Sequence, residues 1–110
     1  MIAINRTSGL QSKTNDTVTI KIVGIGGAGS NALDRMVLDG LEQARLVTMN
    51  TDVQSLSSSV AGEKIQLGRT TTRGLGAGGD PELGYSAAEE ATDEIRRTFE
   101  EVGMTFICVG

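Results

Sequence analysis

The chain has 110 residues, with fifteen glycines, no histidine, a single cysteine and a formal net charge of -4, a length that suits one modest domain or part of a larger one. An acidic balance with no basic run and no aromatic–basic interleaving argues against nucleic-acid binding and against attachment to a membrane surface. One cysteine excludes an internal disulfide and fits a reducing cytoplasm, and without histidine a conventional zinc site is excluded.

Residues 1–17 are polar, lack the apolar core of a signal peptide and read as a flexible tail ahead of a domain spanning 18–110. No apolar run is long enough to insert directly into a bilayer. The first expected strand, Thr19–Gly24, is almost continuously apolar, as a central parallel strand would be. A helix is expected from about Ala28 to just before Gly40. Gly40 and Leu41 are placed to close it in a Schellman turn. A second strand follows over Arg45–Asn50. Asp52 is then placed to cap a short helix ending near Ser59, and Lys64–Leu67 is a short alternating strand. Gly68–Asp80 is a long loop, and loops of that length in compact domains tend to bind something. One helix is expected over Pro81–Val102, with Asp80 as N-cap and Pro81 at its first position. Its apolar face runs Gly84, Ala87, Ala88, Ala91, Ile95, Phe99, Val102, and its acids and arginines form the solvated side. Tyr85 is expected to pack against the preceding loop. Met104–Val109 is a last apolar strand that buries Cys108. Strands alternating with helices give an α/β class, a Rossmann-like parallel sheet flanked by helices.

Two glycine-rich loops carry the chemistry. Gly24-x-Gly-x-x-Gly29 lies between a strand and a helix. Glycines there let the backbone approach an anion, and the following helix offers unpaired N–H groups to it. Gly26, Gly27, Ala28, Gly29, Ser30 and Asn31 are therefore candidate phosphate ligands. The Ser30 and Asn31 side chains have a second role open to them, bonding to local backbone. In Gly74–Pro81, the N–H groups of Ala77 and Gly78 suit an anion nest, and Gly76 and Gly79 supply its flexibility. Asn50 and Asp52 end the second strand. Asp52 has two roles open, helix N-cap or a metal-linked or nucleotide-contacting one. Arg73 faces either phosphate or solvent. No general base, nucleophile or Walker lysine is assembled, so no catalytic residue is assigned. Protein side chains offer no metal site, although Mg2+ held mainly through phosphates and water suits such loops. The first loop together with Asp52 also admits an NAD-dependent oxidoreductase, a reading that leaves Gly74–Pro81 unused.

Gly24–Asn31, Asn50-Thr-Asp52 and above all Thr72-Arg-Gly-Leu-Gly-Ala-Gly-Gly-Asp-Pro-Glu82 resemble the FtsZ family of tubulin-related bacterial cell-division GTPases, from about Thr19 to Gly110. The resemblance implies the amino-terminal portion of a tubulin/FtsZ-type GTPase domain binding GTP or GDP. Residues like Gly27–Asn31 line its first phosphate loop, and those like Ala77 and Gly78 approach the γ-phosphate. It further implies a homopolymer, assembled head to tail into protofilaments of the division ring. Each subunit completes its neighbour's site, and membrane-tethering and division proteins act in the cytoplasm at the division site. The family's glycine–threonine loop would follow Gly110, so this segment alone is expected not to hydrolyse GTP, and to be marginally stable or domain-swapped. Asp80 stands where the family usually has an amide.

Overall fold

The computed structural model describes residues 19–110; the expected tail over residues 1–17 lies outside them. Four strands form one parallel sheet in the order β3-β2-β1-β4. They are β1 (Ile20–Ile25), β2 (Leu46–Asn50), β3 (Glu63–Gln66) and β4 (Met104–Val109). Helices α1 (Gly26–Leu38) and α2 (Val53–Ser58) connect the first three strands. Helices α3 (Pro81–Glu90) and α4 (Thr92–Thr98) carry the chain from β3 across to β4. The strand order therefore reverses between β1 and β4, where doubly wound sheets open a ligand crevice beyond the strands' carboxyl ends.

Burial on both faces explains the continuous apolar strands. On one face Leu46 and Ile22 pack with Leu33, Met36 and Val37 of α1. On the other, Val23, Val47, Met49 and Ile65 pack with Ala87 and Ala91, joined by Ile95 and Phe99. The expected small-residue face of the third helical stretch is thus the face that meets the sheet. Lys21 ties the lower end of this layer: its ammonium lies 2.6 Å from Glu63 Oε1 and donates to the Thr98 carbonyl at 3.2 Å.

The Schellman turn forms as expected. Gly40 has φ +103, the Gly40 N–H donates to the Val37 carbonyl at 2.9 Å, and Leu41 N–H donates to the Met36 carbonyl at 3.0 Å. Asp80 caps α3 by accepting from the N–H groups of Glu82 and Leu83. Helix α1 begins at Gly26, two residues before the expected start, because the glycines themselves make its first turn.

Three expectations are corrected. The single helix over Pro81–Val102 is two helices, broken at Ala91, whose ψ of 12 leaves the helical region. Ala91 N–H takes the shorter bond to the Ala88 carbonyl, and the Thr92 hydroxyl donates to the Glu89 carbonyl at 2.8 Å. A threonine hydroxyl that engages the preceding turn competes with the helix ladder. Tyr85 is exposed rather than packed on the loop. Cys108 is half-buried, because β4 is an edge strand; Ile107 and Val109 on its other face are exposed. That face opens an apolar cavity of about 370 Å³ between β4 and α4.

Candidate phosphate site at the strand ends

All four strands are parallel, so the turns that leave their carboxyl ends share one edge of the sheet. The turn after β1 is shaped by absent side chains. A Cβ at Gly24 would lie 2.5 Å from the Gly29 carbonyl oxygen, and one at Gly29 would lie 2.6 Å from the Cys108 carbonyl oxygen. Only glycines at these two positions let α1 start flush against β1 and β4. Gly26 has φ +79, which an L side chain rarely adopts. The residue before the helix, Ile25, gives no side-chain cap. The N–H groups of Gly26, Gly27 and Ala28 therefore lack intrahelical acceptors and point past the strand ends, while Gly29 N–H makes the helix's first bond, to the Ile25 carbonyl. Gly27 and Ala28 are exposed there, and Asn31 is exposed one turn on.

Ser30 behaves differently. Its hydroxyl is buried and bonds the Thr48 hydroxyl of β2. It pins α1 to the sheet, and what it turns to the crevice is backbone. Gly27, Ser30 and Asn31 border a cavity of about 260 Å³ shared with Ser55, Ser58 and Ser59 around α2.

Register places the next two candidates. Ile25 pairs with Met49, so Gly26 and Asn50 leave neighbouring strands side by side. Asn50 Oδ1 accepts from the N–H groups of Thr51 and Asp52, folding this turn on itself. Asp52 takes the capping role: its Oδ1 accepts from Gln54 N–H at 2.9 Å. A carboxylate so engaged does not stand free as a ribose acceptor, which weakens the oxidoreductase reading.

The second loop is tied at both ends of its first half. Gly68–Gly74 folds into a compact turn in which Thr72 N–H and hydroxyl both donate to the Gly68 carbonyl. Gly68 packs so closely on α3 that an added Cβ would lie 2.6 Å from that of Ala87. Further on, Leu75 forms a single antiparallel bridge with Asp52, and Val53 N–H donates to the Gly74 carbonyl at 3.2 Å. This bridge carries the loop from α3 to the end of β2. Gly76, Ala77, Gly78 and Gly79 then arch over to Asp80. Three of them have left-handed φ: +92 at Gly76, +60 at Gly78, +78 at Gly79. Among the described residues, no hydrogen-bond acceptor engages the N–H groups of Ala77, Gly78 and Gly79, whereas that of Gly76 belongs to the Asp52–Leu75 bridge. Arg73 is exposed, with φ 54, and makes no ion pair among the described residues. The structure thus brings the second loop to Asp52, and Asp52 to the strand beside the first loop.

Sequence reading passed over one participant, Glu90, counted among the solvated acids of its helix. Its carboxylate accepts from Thr70 N–H at 2.9 Å, Thr71 N–H at 3.1 Å and the Thr71 hydroxyl at 2.7 Å. The Thr71 hydroxyl first, and then Thr70, hold its pKa down at about 2, from an ordinary 4.5. A pKa lower in the folded than in the unfolded chain means that this tether is complete above about 4.5 and is lost as pH falls through about 2. Amide-exchange protection at Thr70 and Thr71 is therefore expected to hold at pH 4 and to fade toward pH 2. A loss centred on the ordinary carboxylate range would contradict the contact.

No three His, Cys, Asp or Glu side chains converge as a metal cluster among the described residues. No described helix is long and apolar enough to cross a membrane.

The profile of the Tubulin/FtsZ family, GTPase domain, matches residues 19–110, which include both glycine loops. The chain is 52% identical over 92 residues to the cell division protein FtsZ of Rickettsia typhi, covering 84% of this chain and 20% of that protein. The FtsZ of Rickettsia felis gives the same identity and coverage. Among solved structures, an empty FtsZ dimer from M. jannaschii superposes with a TM-score of 0.80 at 43% identity, over 86% of this chain and 28% of that one. CetZ2 of Haloferax volcanii, solved as a GTPγS-bound protofilament, gives 0.65 at 26% identity, over 84% of this chain and 30% of that one. The chain spans about a fifth of the length of the curated relatives it matches. With its fold, its two loops and 92 matched residues in agreement, the chain belongs to the tubulin/FtsZ family, within the GTPase domain.

Proposed function

We propose that this segment supplies the phosphate-gripping part of the guanine-nucleotide site of a GTPase that polymerises head to tail. The observation that carries the reading is the pairing of an uncapped helix start with a glycine arch on one edge of a parallel sheet. Backbone N–H groups from two directions suit a chain of phosphates. They also suit a protein whose net charge is -4, since the local anion affinity then comes from main-chain dipoles.

In this reading Gly26, Gly27, Ala28 and Gly29, with the backbone of Ser30 and the side chain of Asn31, hold the inner phosphates of GTP or GDP. Gly76, Ala77, Gly78 and Gly79 close over the terminal one. Asn50 and Asp52 act by fixing the turn on which that arch rests. The uncapped amides and missing Cβ atoms at these turns fit a phosphate group. Of the carboxylates bordering these turns, Asp52 and Asp80 are occupied as helix caps and Asp34 accepts from Val60 N–H. Any Mg2+ is then held mainly through phosphate oxygens and water, where it neutralises charge. No side chain among the described residues is positioned to activate a nucleophile, so hydrolysis requires groups from the rest of the domain and from the neighbouring subunit. The family membership, and the CetZ2 relative solved as a protofilament with GTPγS, support assembly of this kind. The similarity to the cell division proteins named FtsZ supports a cytoplasmic polymer at the division site, tethered to the membrane by division proteins.

The test uses the protein carrying this segment with the remainder of its domain. GTP turnover per molecule is expected to fall steeply when the protein is diluted below the concentration at which it assembles. A rate that stays constant down to the monomer would overturn the shared site. Tight NADH binding that GTP does not displace would favour the oxidoreductase instead.

A further inference from the structure

We propose that Glu90 is a positioning residue for the second glycine loop, clamping its base so that the Gly76–Gly79 arch is ordered before a nucleotide arrives. The inference rests on the reading of that arch as the grip on the terminal phosphate.

The geometry runs in one direction from helix to arch. Glu90 is the last residue of α3, on the exposed side of that helix. It is in no ion pair among the described residues. Its charge is met instead by three donors from the loop, the two N–H groups of Thr70 and Thr71 and the Thr71 hydroxyl. These N–H groups lie two and three residues after Gly68, whose carbonyl closes the turn, so the carboxylate acts on that turn as an N-cap supplied from twenty residues away. The turn in turn presents the Gly74 carbonyl to Val53 N–H and places Leu75 against Asp52. Gly76 follows directly. Without the clamp the turn has three unmet donors, and its base is held to α3 through Gly68 alone, whose N–H donates to the Ala87 carbonyl. A looser arch pays more ordering entropy when it closes on a phosphate. That cost falls on a ligand with a terminal phosphate more than on one without.

Glu90→Gln is the informative substitution, because it keeps one carbonyl oxygen but sets an amide donor against the loop's donors. The full-length protein is titrated with GTP and with GDP by displacement of a fluorescent nucleotide. Glu90→Gln is expected to reduce the preference for GTP over GDP by roughly fivefold. Amide exchange at Gly74–Gly79 should quicken without nucleotide, a readout independent of binding. Glu89→Gln removes the same charge next door, where only the backbone carbonyl makes a contact, and should change neither. Thr71→Val takes away a single donor and should shift the preference in the same direction by less, which keeps the test open should Glu90→Gln fold poorly. If Glu90→Gln weakens GTP and GDP equally, or matches Glu89→Gln, the clamp is overturned while the phosphate site stands. If the unsubstituted protein binds neither nucleotide, the reading beneath it falls as well.

Discussion

Gly29→Ala is expected to cost both the fold and the ligand. The new methyl would sit 2.6 Å from the Cys108 carbonyl oxygen and 2.9 Å from the Gly24 carbonyl carbon. Both obstacles are backbone, and neither is free to retreat. Gly24 is paired to Thr48 on one side and to Cys108 on the other. Helix α1 must lift off the sheet instead. Lifting it stretches the buried Ser30–Thr48 contact and loosens Leu33, which is fully buried. Overpacking of this kind costs about 1–3 kcal/mol, and a clash with two strands lies at the upper end. Displacing the first turn also moves its free N–H groups. Losing two charge-assisted hydrogen bonds at about 1.5–3 kcal/mol each would weaken nucleotide binding at least about a hundredfold. Gly27→Ala is the control. It adds the same methyl two residues earlier, where nothing lies within 4 Å, and should melt within a few degrees of the parent. Thermal melts and nucleotide titration of both variants in the full-length protein decide it. Equal stability for the two would show that α1 does not depend on this close approach.

That contrast also marks what local sequence can and cannot carry. The strand–glycine–helix pattern, the Gly40–Leu41 closure and the Asp80–Pro81 start are each fixed within a few residues, and each forms as read. The two-sided burial of β1 and β2 was legible in their unbroken apolar runs. The break at Ala91 was not, because the apolar face keeps its helical spacing across it, and nothing in the sequence marks the exposed Thr92 as the residue whose hydroxyl turns back to the Glu89 carbonyl. The alignment of both loops on one edge follows from parallel strands, but the Asp52–Leu75 bridge joins residues 23 apart and leaves no local trace. Glu90 is the clearest case. In its helix it looks like any solvated acid, and only the returning loop turns it into an acceptor of three hydrogen bonds.

Gly78→Val should separate binding from stability in the opposite way to Gly29→Ala. Gly78 has φ +60 and open space around it, so a side chain there meets no neighbour and suffers only backbone strain. A left-handed L residue costs about 1–2 kcal/mol, and β-branching adds to it. The arch lies outside both apolar clusters, so it can release that strain by rotating its peptides without disturbing the core. The melting temperature is then expected to stay within a few degrees of the parent. Rotation, however, re-aims the N–H groups of the arch. GTP affinity should fall about tenfold or more, with GDP affected less, because only the longer ligand reaches the arch. Gly78→Asn provides the intermediate point, since asparagine tolerates the left-handed region far better than valine. An ordering of glycine, asparagine, valine in GTP affinity at constant melting temperature would tie the effect to backbone conformation. If valine leaves GTP affinity unchanged, the arch has no part in holding phosphate. If valine lowers the melting point as far as Gly29→Ala does, Gly76–Gly79 serves the fold, and the site would reduce to the first turn of α1.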